Sequence, residues 1–296
     1  RMTPKRPVVA IPPSYNQDES LELHSTANYL KYLEDNGATC VMTTAGTSQF
    51  NFLNLSEIHE FNRYVMENFS GQKILGIPAL PSIYAESFAK EAAEYLDENS
   101  TLMALYPDRF YDENTIRGYI ENVCDATERG IYLHTQKMRS GISGDWNYTA
   151  NILNLAYQNG DLIGIKEEHP NLQESYNFIR GLNNGLDIIV AGGSMRRFQF
   201  LESAGANSFL SGMGNLFPSI ENDFLDSDHE ERIKILQKES KFFNVFMANG
   251  WHRSLRASLK IMDLTCLNNR DPWPEKCTDL DEKLANMIEG TKINEK

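Results

Sequence analysis

Lys166 stands at the end of the short apolar run Leu162-Ile163-Gly164-Ile165. Such a run reads as a buried strand, and an ammonium group at its end loses hydration, which favours the neutral amine. A neutral lysine attacks a ketone and forms an imine, the reaction of Schiff-base aldolases. The competing reading is a strand-end lysine that sends its ammonium to solvent beside Glu167. Two other clusters bear on the choice. Tyr132, in phase with Gly130 and His134 on the preceding apolar run, offers a phenol that can pass protons at an imine. Gly46-Thr47-Ser48 offers hydroxyl and backbone donors for a carboxylate, or simply a turn that caps a helix.

These residues need a scaffold that brings them to one place. Apolar runs recur at Val8-Ile11, Thr39-Thr43, Ile74-Ile77, Thr101-Leu105, Gly130-His134, Leu162-Lys166, Asp187-Ala191 and Ser208-Ser211, with amphipathic segments between them. Eight strands alternating with helices predict an α/β fold, a (β/α)8 TIM barrel, with its chemistry where strands end and βα loops begin. No Gly-x-Gly-x-x-Gly follows the first run, which disfavours a dinucleotide fold. A helix is expected over Ser56–Phe69, with Ile58, Phe61, Val65 and Met66 on one stripe, and another from Trp146 to Asn159, capped by Asp145 and stopped at Gly160. Residues 1–221 are expected to form the barrel and 222–296 a C-terminal helical region. On the sixth strand Leu162, Gly164 and Lys166 should face inward, with Ile163 and Ile165 outward.

The chain has 296 residues, 41% of them hydrophobic and 23% charged, enough to bury a sizeable core. A net charge of -13 argues against a nucleic-acid partner. Arg1 to Pro7 lacks the apolar core of a signal peptide, and the uncharged stretch Ser203–Ile220 is too rich in Gly, Ser and Asn for a membrane span. The cysteines, Cys40, Cys124, Cys266 and Cys277, have no close spacing of the zinc or redox type, which suggests reduced thiols in the cytoplasm.

The order and spacing of Gly46-Thr47-Ser48, Tyr132, Arg139-Ser140-Gly141, Gly164-Ile165-Lys166-Glu167, Asn171-Leu172, Ala191-Gly192-Gly193 and the glycine-rich Ser208–Pro218 resemble the dihydrodipicolinate synthase and N-acetylneuraminate lyase family. Arg270-Asp271-Pro272-Trp273-Pro274 is similar to its C-terminal Arg-Pro-Pro segment. The Gly-Ile-Lys-Glu motif is the specific part. The resemblance implies a barrel with a C-terminal helical region, assembled as a homodimer or homotetramer. It implies Lys166 as the imine-forming lysine, Tyr132 as the phenol that moves protons, and Thr47 and Ser48 as holders of a 2-oxo acid carboxylate. Gly192 and Leu210 would line the pocket, and Arg139 would meet a carboxylate of a second substrate. The expected substrate is pyruvate or a related 2-oxo acid, in aldol cleavage or condensation of a keto-deoxy sugar acid or similar compound, with no metal and no cofactor.

The chain departs from the family pattern at Gln49-Phe50, where a glycine and a glutamate are usual, and after the fourth strand, where Tyr106 and Tyr111 are the candidates for a relay tyrosine. A keto-deoxy sugar acid dehydratase, a dihydrodipicolinate synthase-like condensation, or a non-catalytic 2-oxo acid sensor stand as alternatives. So does a metal site drawn from His134, Glu167, Glu168 and His169, although neighbouring side chains on a strand diverge. Met195-Arg196-Arg197 reads as a helix start with a solvated basic face, and Trp251-His252-Arg253 as a packing segment.

Overall fold

Each apolar run becomes a strand of one closed barrel. The computed structural model describes residues 4–105, 112–135, 146–270, 272–273 and 278–294. Arg139, Tyr106, Tyr111, Asp145 and Cys277 lie outside the described residues. The chain begins with β1 (Arg6–Ala10), a small hairpin of β2 (Ser14–Tyr15) and β3 (Leu21–Glu22), and α1 (His24–Asp35). Alternating units follow: β4 (Cys40–Met42), α2 (Leu55–Asn68), β5 (Gln72–Gly76), α3 (Ser82–Ala93), β6 (Ser100–Leu105), α4 (Glu113–Thr127), β7 (Ile131–His134) and α5 (Trp146–Gln158). The circuit is completed by β8 (Leu162–Glu167), α6 (Leu172–Arg180), β9 (Asp187–Val190), α7 (Ser194–Leu201), β10 (Ser208–Leu210) and α8 (Pro218–Asp226). Strands β1 and β4 to β10 pair in parallel and close through β10–β1. This is the (β/α)8 barrel that the strand count predicts.

Local chemistry explains the helix boundaries. The second helix starts one residue before the expected Ser56, because Asn54 caps it: its side chain accepts from the Glu57 N–H, and Glu57 reaches back to the Asn54 N–H. Gly160 takes the left-handed conformation, at φ 83°, just past the end of α5. Asn171 caps α6 by accepting the Glu174 N–H, and Asp228 accepts the Glu231 N–H at the start of the helix over His229–Ala248.

The barrel buries two apolar clusters. The larger lies between strands and helices, and the smaller fills the barrel interior with Val8, Cys40, Met42, Ile74, Met103, Tyr132 and Ile189. The sixth barrel strand, β8, departs from simple alternation. Ile131 pairs with Leu162 but Tyr132 pairs with Gly164, so Ile163 is an extra, bulged residue. Leu162 consequently joins the outer cluster and Ile163 packs against the inner one, the reverse of the expectation. Gly164 and Lys166, beyond the bulge, keep the inward phase.

After α8, the chain forms α9 (His229–Ala248), α10 (Trp251–Ile261) and α11 (Thr278–Asn294). Gly250, at φ 85°, turns the chain between α9 and α10. The Arg256 guanidinium donates to the carbonyls of Pro13 and Asn268, at 2.5 and 2.9 Å, and Arg270 donates to Glu57, Phe52 and Glu19. These bonds hold the C-terminal helices over the βα loops of the first strands. Among the described residues no helix is long and apolar enough to cross a membrane.

Candidate active site

Lys166 is the penultimate residue of β8, and its register partner on β7 is His134. Both side chains therefore project inward at the same height, near the C-terminal end of the barrel. Lys166 is 4% exposed, with its Nζ 3.2 Å from His134 Nε2 and 3.7 Å from Glu168 Oε1. The same Nε2 lies 2.7 Å from Glu168 Oε1. Desolvation lowers the pKa of Lys166 below the ordinary lysine value, with the Glu168 carboxylate opposing it. The amine is thus biased toward its nucleophilic form.

A cleft of about 320 Å³ opens beside this amine. The β4 end contributes Thr44 and Thr47, and the β9 and β10 ends contribute Gly192 and Leu210. Gly192 sits at φ 89°, a conformation that glycine adopts without strain. Ser48, in contrast, is withdrawn: its Oγ donates to the Ile11 carbonyl at 2.7 Å and accepts the Thr44 N–H at 3.0 Å. It shapes the loop that presents Thr47. Thr44 takes a place at the cleft that the sequence reading gave to Ser48, with a buried Oγ1 lacking a hydrogen-bond partner among the described residues. Gln49 accommodates the departure from glycine by adopting the left-handed conformation at φ 53° while its Oε1 accepts the Tyr15 hydroxyl at 3.0 Å.

Tyr132 is not brought to Lys166. Its Cα is paired with Gly164, one layer nearer the barrel floor than the His134–Lys166 pair, and its ring covers Gly164 so closely that a Cβ there would collide with it. The hydroxyl donates to Asp187 Oδ2 at 2.5 Å and accepts from Gln72 at 3.3 Å. Burial and the adjacent carboxylate raise the pKa of this phenol well above the usual tyrosine value. The group beside the lysine is His134, which the sequence had offered as a metal ligand.

The other proposed metal ligands separate. Glu167 turns outward to Arg197 Nη2 at 2.9 Å, and His169 pairs with Glu174. Among the described residues no three such side chains converge on one point. Arg197 is accordingly buried, not solvated as its position in the helix suggested. Arg196 lies over the Phe243 ring and binds Glu239.

The far wall of the cleft comes from α9 and α10: Phe243, Met247, Trp251 and His252. His252 lies against Gly46, at van der Waals distance from where a Cβ would sit. Desolvation lowers its pKa, and the Lys166 and Arg256 charges add to that effect. Sequence reasoning assigned this segment to packing, since nothing in its spacing shows that α10 folds back over the barrel mouth. A larger concavity of about 940 Å³ lies between α8, α9 and α11, but none of the groups described above reaches it.

No family model matches the chain, and no curated protein matches its sequence. Solved structures match over almost its whole length. Dihydrodipicolinate synthase from Bacillus clausii superposes with a TM-score of 0.79 at 18% identity, covering 97% of each chain. The Aquifex aeolicus dihydrodipicolinate synthase gives 0.81 at 14% identity, covering 97% of this chain and 98% of its own. N-acetylneuraminate lyase from Fusobacterium nucleatum gives 0.82 at 14% identity with the same coverage. The chain has the fold of the dihydrodipicolinate synthases and N-acetylneuraminate lyases. The match extends through the C-terminal helices, so the helices over the barrel mouth are part of this lyase-type fold and not an addition to it.

Proposed function

We propose that the chain belongs to this lyase family and is an enzyme that forms a Schiff base between Lys166 and pyruvate or a related 2-oxo acid. The observation that carries the reading is a buried lysine, its amine biased to the neutral form, on the wall of a cleft at the C-terminal end of a (β/α)8 barrel. The fold supports it by analogy only; the site supplies the chemistry. In this reading Thr47 and the Thr44 hydroxyl, which has no hydrogen-bond partner among the described residues, hold the carboxylate of the 2-oxo acid and so orient its carbonyl toward the amine. Attack by Nζ and loss of water give an imine that draws electrons from the adjacent carbon. Aldol cleavage or condensation of a keto-deoxy sugar acid, or a similar compound, follows from that electron sink.

Borohydride trapping tests the proposal. The protein is incubated with pyruvate and other 2-oxo acids, reduced and digested, and the peptide carrying Lys166 is weighed by mass spectrometry. The expected result is a reduced adduct on Lys166 that is absent from Lys166→Ala. Failure of every 2-oxo acid to leave an adduct would overturn the reading.

A further inference from the structure

An imine-forming lysine needs a second group. Something must protonate the departing hydroxyl of the carbinolamine, and something must take a proton from the carbon beside the imine. Tyr132 cannot serve, because its hydroxyl is committed to Asp187 at the barrel floor. His134 meets the geometric requirement. Its Nε2 is 3.2 Å from Nζ, within hydrogen-bond reach of the reacting nitrogen, and 2.7 Å from Glu168 Oε1. The register pairing of His134 with Lys166 fixes this approach through the backbone. The imidazole is 4% exposed, so bulk water does not compete for its proton.

We propose, building on the Schiff-base reading of Lys166, that His134 is the acid and base of the reaction and that Glu168 is its positioning partner. The short contact between Nε2 and Oε1 holds one proton between imidazole and carboxylate. When the carbinolamine forms on Nζ, this proton passes to its hydroxyl, the C–O bond breaks and water leaves. The carbon is then double-bonded to a cationic nitrogen, and His134 is left with a free lone pair beside the Glu168 carboxylate. That lone pair takes a proton from the methyl group of the pyruvate imine. The C–H pair becomes the enamine double bond, the C=N π pair returns to nitrogen, and the His134–Glu168 pair recovers its proton. The cycle needs no oxidant, metal or further reactant. An imidazole, with an ordinary pKa of about 6.5, also suits proton transfer near neutrality better than a phenol at about 10.

The test separates this step from imine formation. In D2O, methyl exchange on pyruvate is followed by NMR while borohydride trapping at Lys166 is run to its plateau. Wild type is expected to do both. His134→Phe should reach the trapping plateau given time, with methyl exchange slowed by about 100-fold or more. His134→Tyr should restore part of the exchange, with its pH profile moved to higher pH. Glu168→Gln serves as a second probe: among the described residues, Lys166, Glu168 and His252 are the charged or titratable groups that share the cleft with the imidazole, and a carboxylate there favours the protonated ring. Its removal should move the acidic limb of the exchange profile to lower pH, which a purely structural role for Glu168 would not do. Exchange by His134→Phe within about threefold of wild type, at an undiminished plateau, would overturn the inference and leave the lysine reading intact. Absence of any adduct in wild type removes the lysine reading itself.

Discussion

Among the described residues two cations lie inside this barrel, nearly equally buried, and one of them faces open space. At the floor, Arg6 is 5% exposed; it pairs with Asp187 at 3.0 Å and donates to Ser208 at 2.6 Å, while Tyr132 closes the network on the same Asp187. At the mouth, Lys166 is 4% exposed, the Glu168 carboxylate is 3.7 Å from its amine, and a cleft of about 320 Å³ adjoins it. A guanidinium stays charged whatever its surroundings, so it suits a permanent buried pair, whereas a lysine amine responds to burial by giving up its proton. Burial of a charge is therefore no mark of function by itself. The combination of a deprotonatable group, an imperfect ion pair and adjacent space is what distinguishes the mouth.

Substituting each cation's site should separate activity from stability. The largest effect is expected for Lys166→Met: trapping at this position and turnover should fall to background, yet the melting temperature should rise. The sign follows from linkage. The folded pKa of Lys166 lies below the ordinary 10.5, so between these two values the unfolded chain binds more protons and wild-type stability climbs with pH. Below that window the buried ammonium opposes folding, and methionine, similar in volume, removes the opposition. The gap in melting temperature between variant and wild type should therefore narrow as pH rises toward 10.5. A variant less stable than wild type at neutral pH would mean that the lysine contributes to folding as Arg6 does. Asp187→Asn at the floor should behave oppositely. It leaves the Arg6 charge buried without its counter-ion, at a cost of about 3–5 kcal/mol by denaturant unfolding, with Lys166 still trapped in the fraction that folds.

The eight strands were legible because each carries an apolar run of barrel length between turn signals, and Lys166 because its charge interrupts such a run. Direction along the barrel axis was not. Tyr132 and His134 share one face of β7, and inward phase alone does not say which of them stands level with Lys166; that depends on the bulge at Ile163, marked in the sequence by nothing more specific than the neighbouring Gly164, which fits a regular strand as well. Ser48 and Thr44 exchanged positions relative to the cleft for a related reason, since the direction of a hydroxyl in a loop is set by the carbonyl it finds, here that of Ile11, far away in sequence. Phe243, Trp251 and His252 were hidden because their place at the mouth comes from the packing of α9 and α10, and their helical spacing is the same as that of any core face.

Tyr132→Phe sharpens the contrast at intermediate size. The phenol donates to a carboxylate buried with an arginine, and losing that bond should cost about 1.5–3 kcal/mol of stability. Because the hydroxyl belongs to the floor, the rate of trapping at Lys166 should stay within about twofold of wild type once the protein is folded. A large loss of trapping with unchanged stability would instead place the phenol in the chemistry and reverse the assignment of the two regions.

The smallest effect is expected at the cleft itself. Thr47→Val keeps the β-branched shape and removes one hydroxyl at a position that is 7% exposed. If that hydroxyl binds the substrate carboxylate, its loss removes one charge-assisted hydrogen bond, about 1.5–3 kcal/mol, and the concentration of pyruvate giving half-maximal trapping should rise by about tenfold or more. The trapped fraction at saturation should be unchanged, since the amine and its environment are untouched. Ser48→Ala supplies the control, because its hydroxyl is bound to the Ile11 carbonyl and the Thr44 N–H. It should lower stability while leaving the affinity for pyruvate nearer to wild type than Thr47→Val does. The opposite ranking would mean that the loop after β4 rearranges on binding and turns Ser48 toward the substrate, as the sequence motif alone suggests.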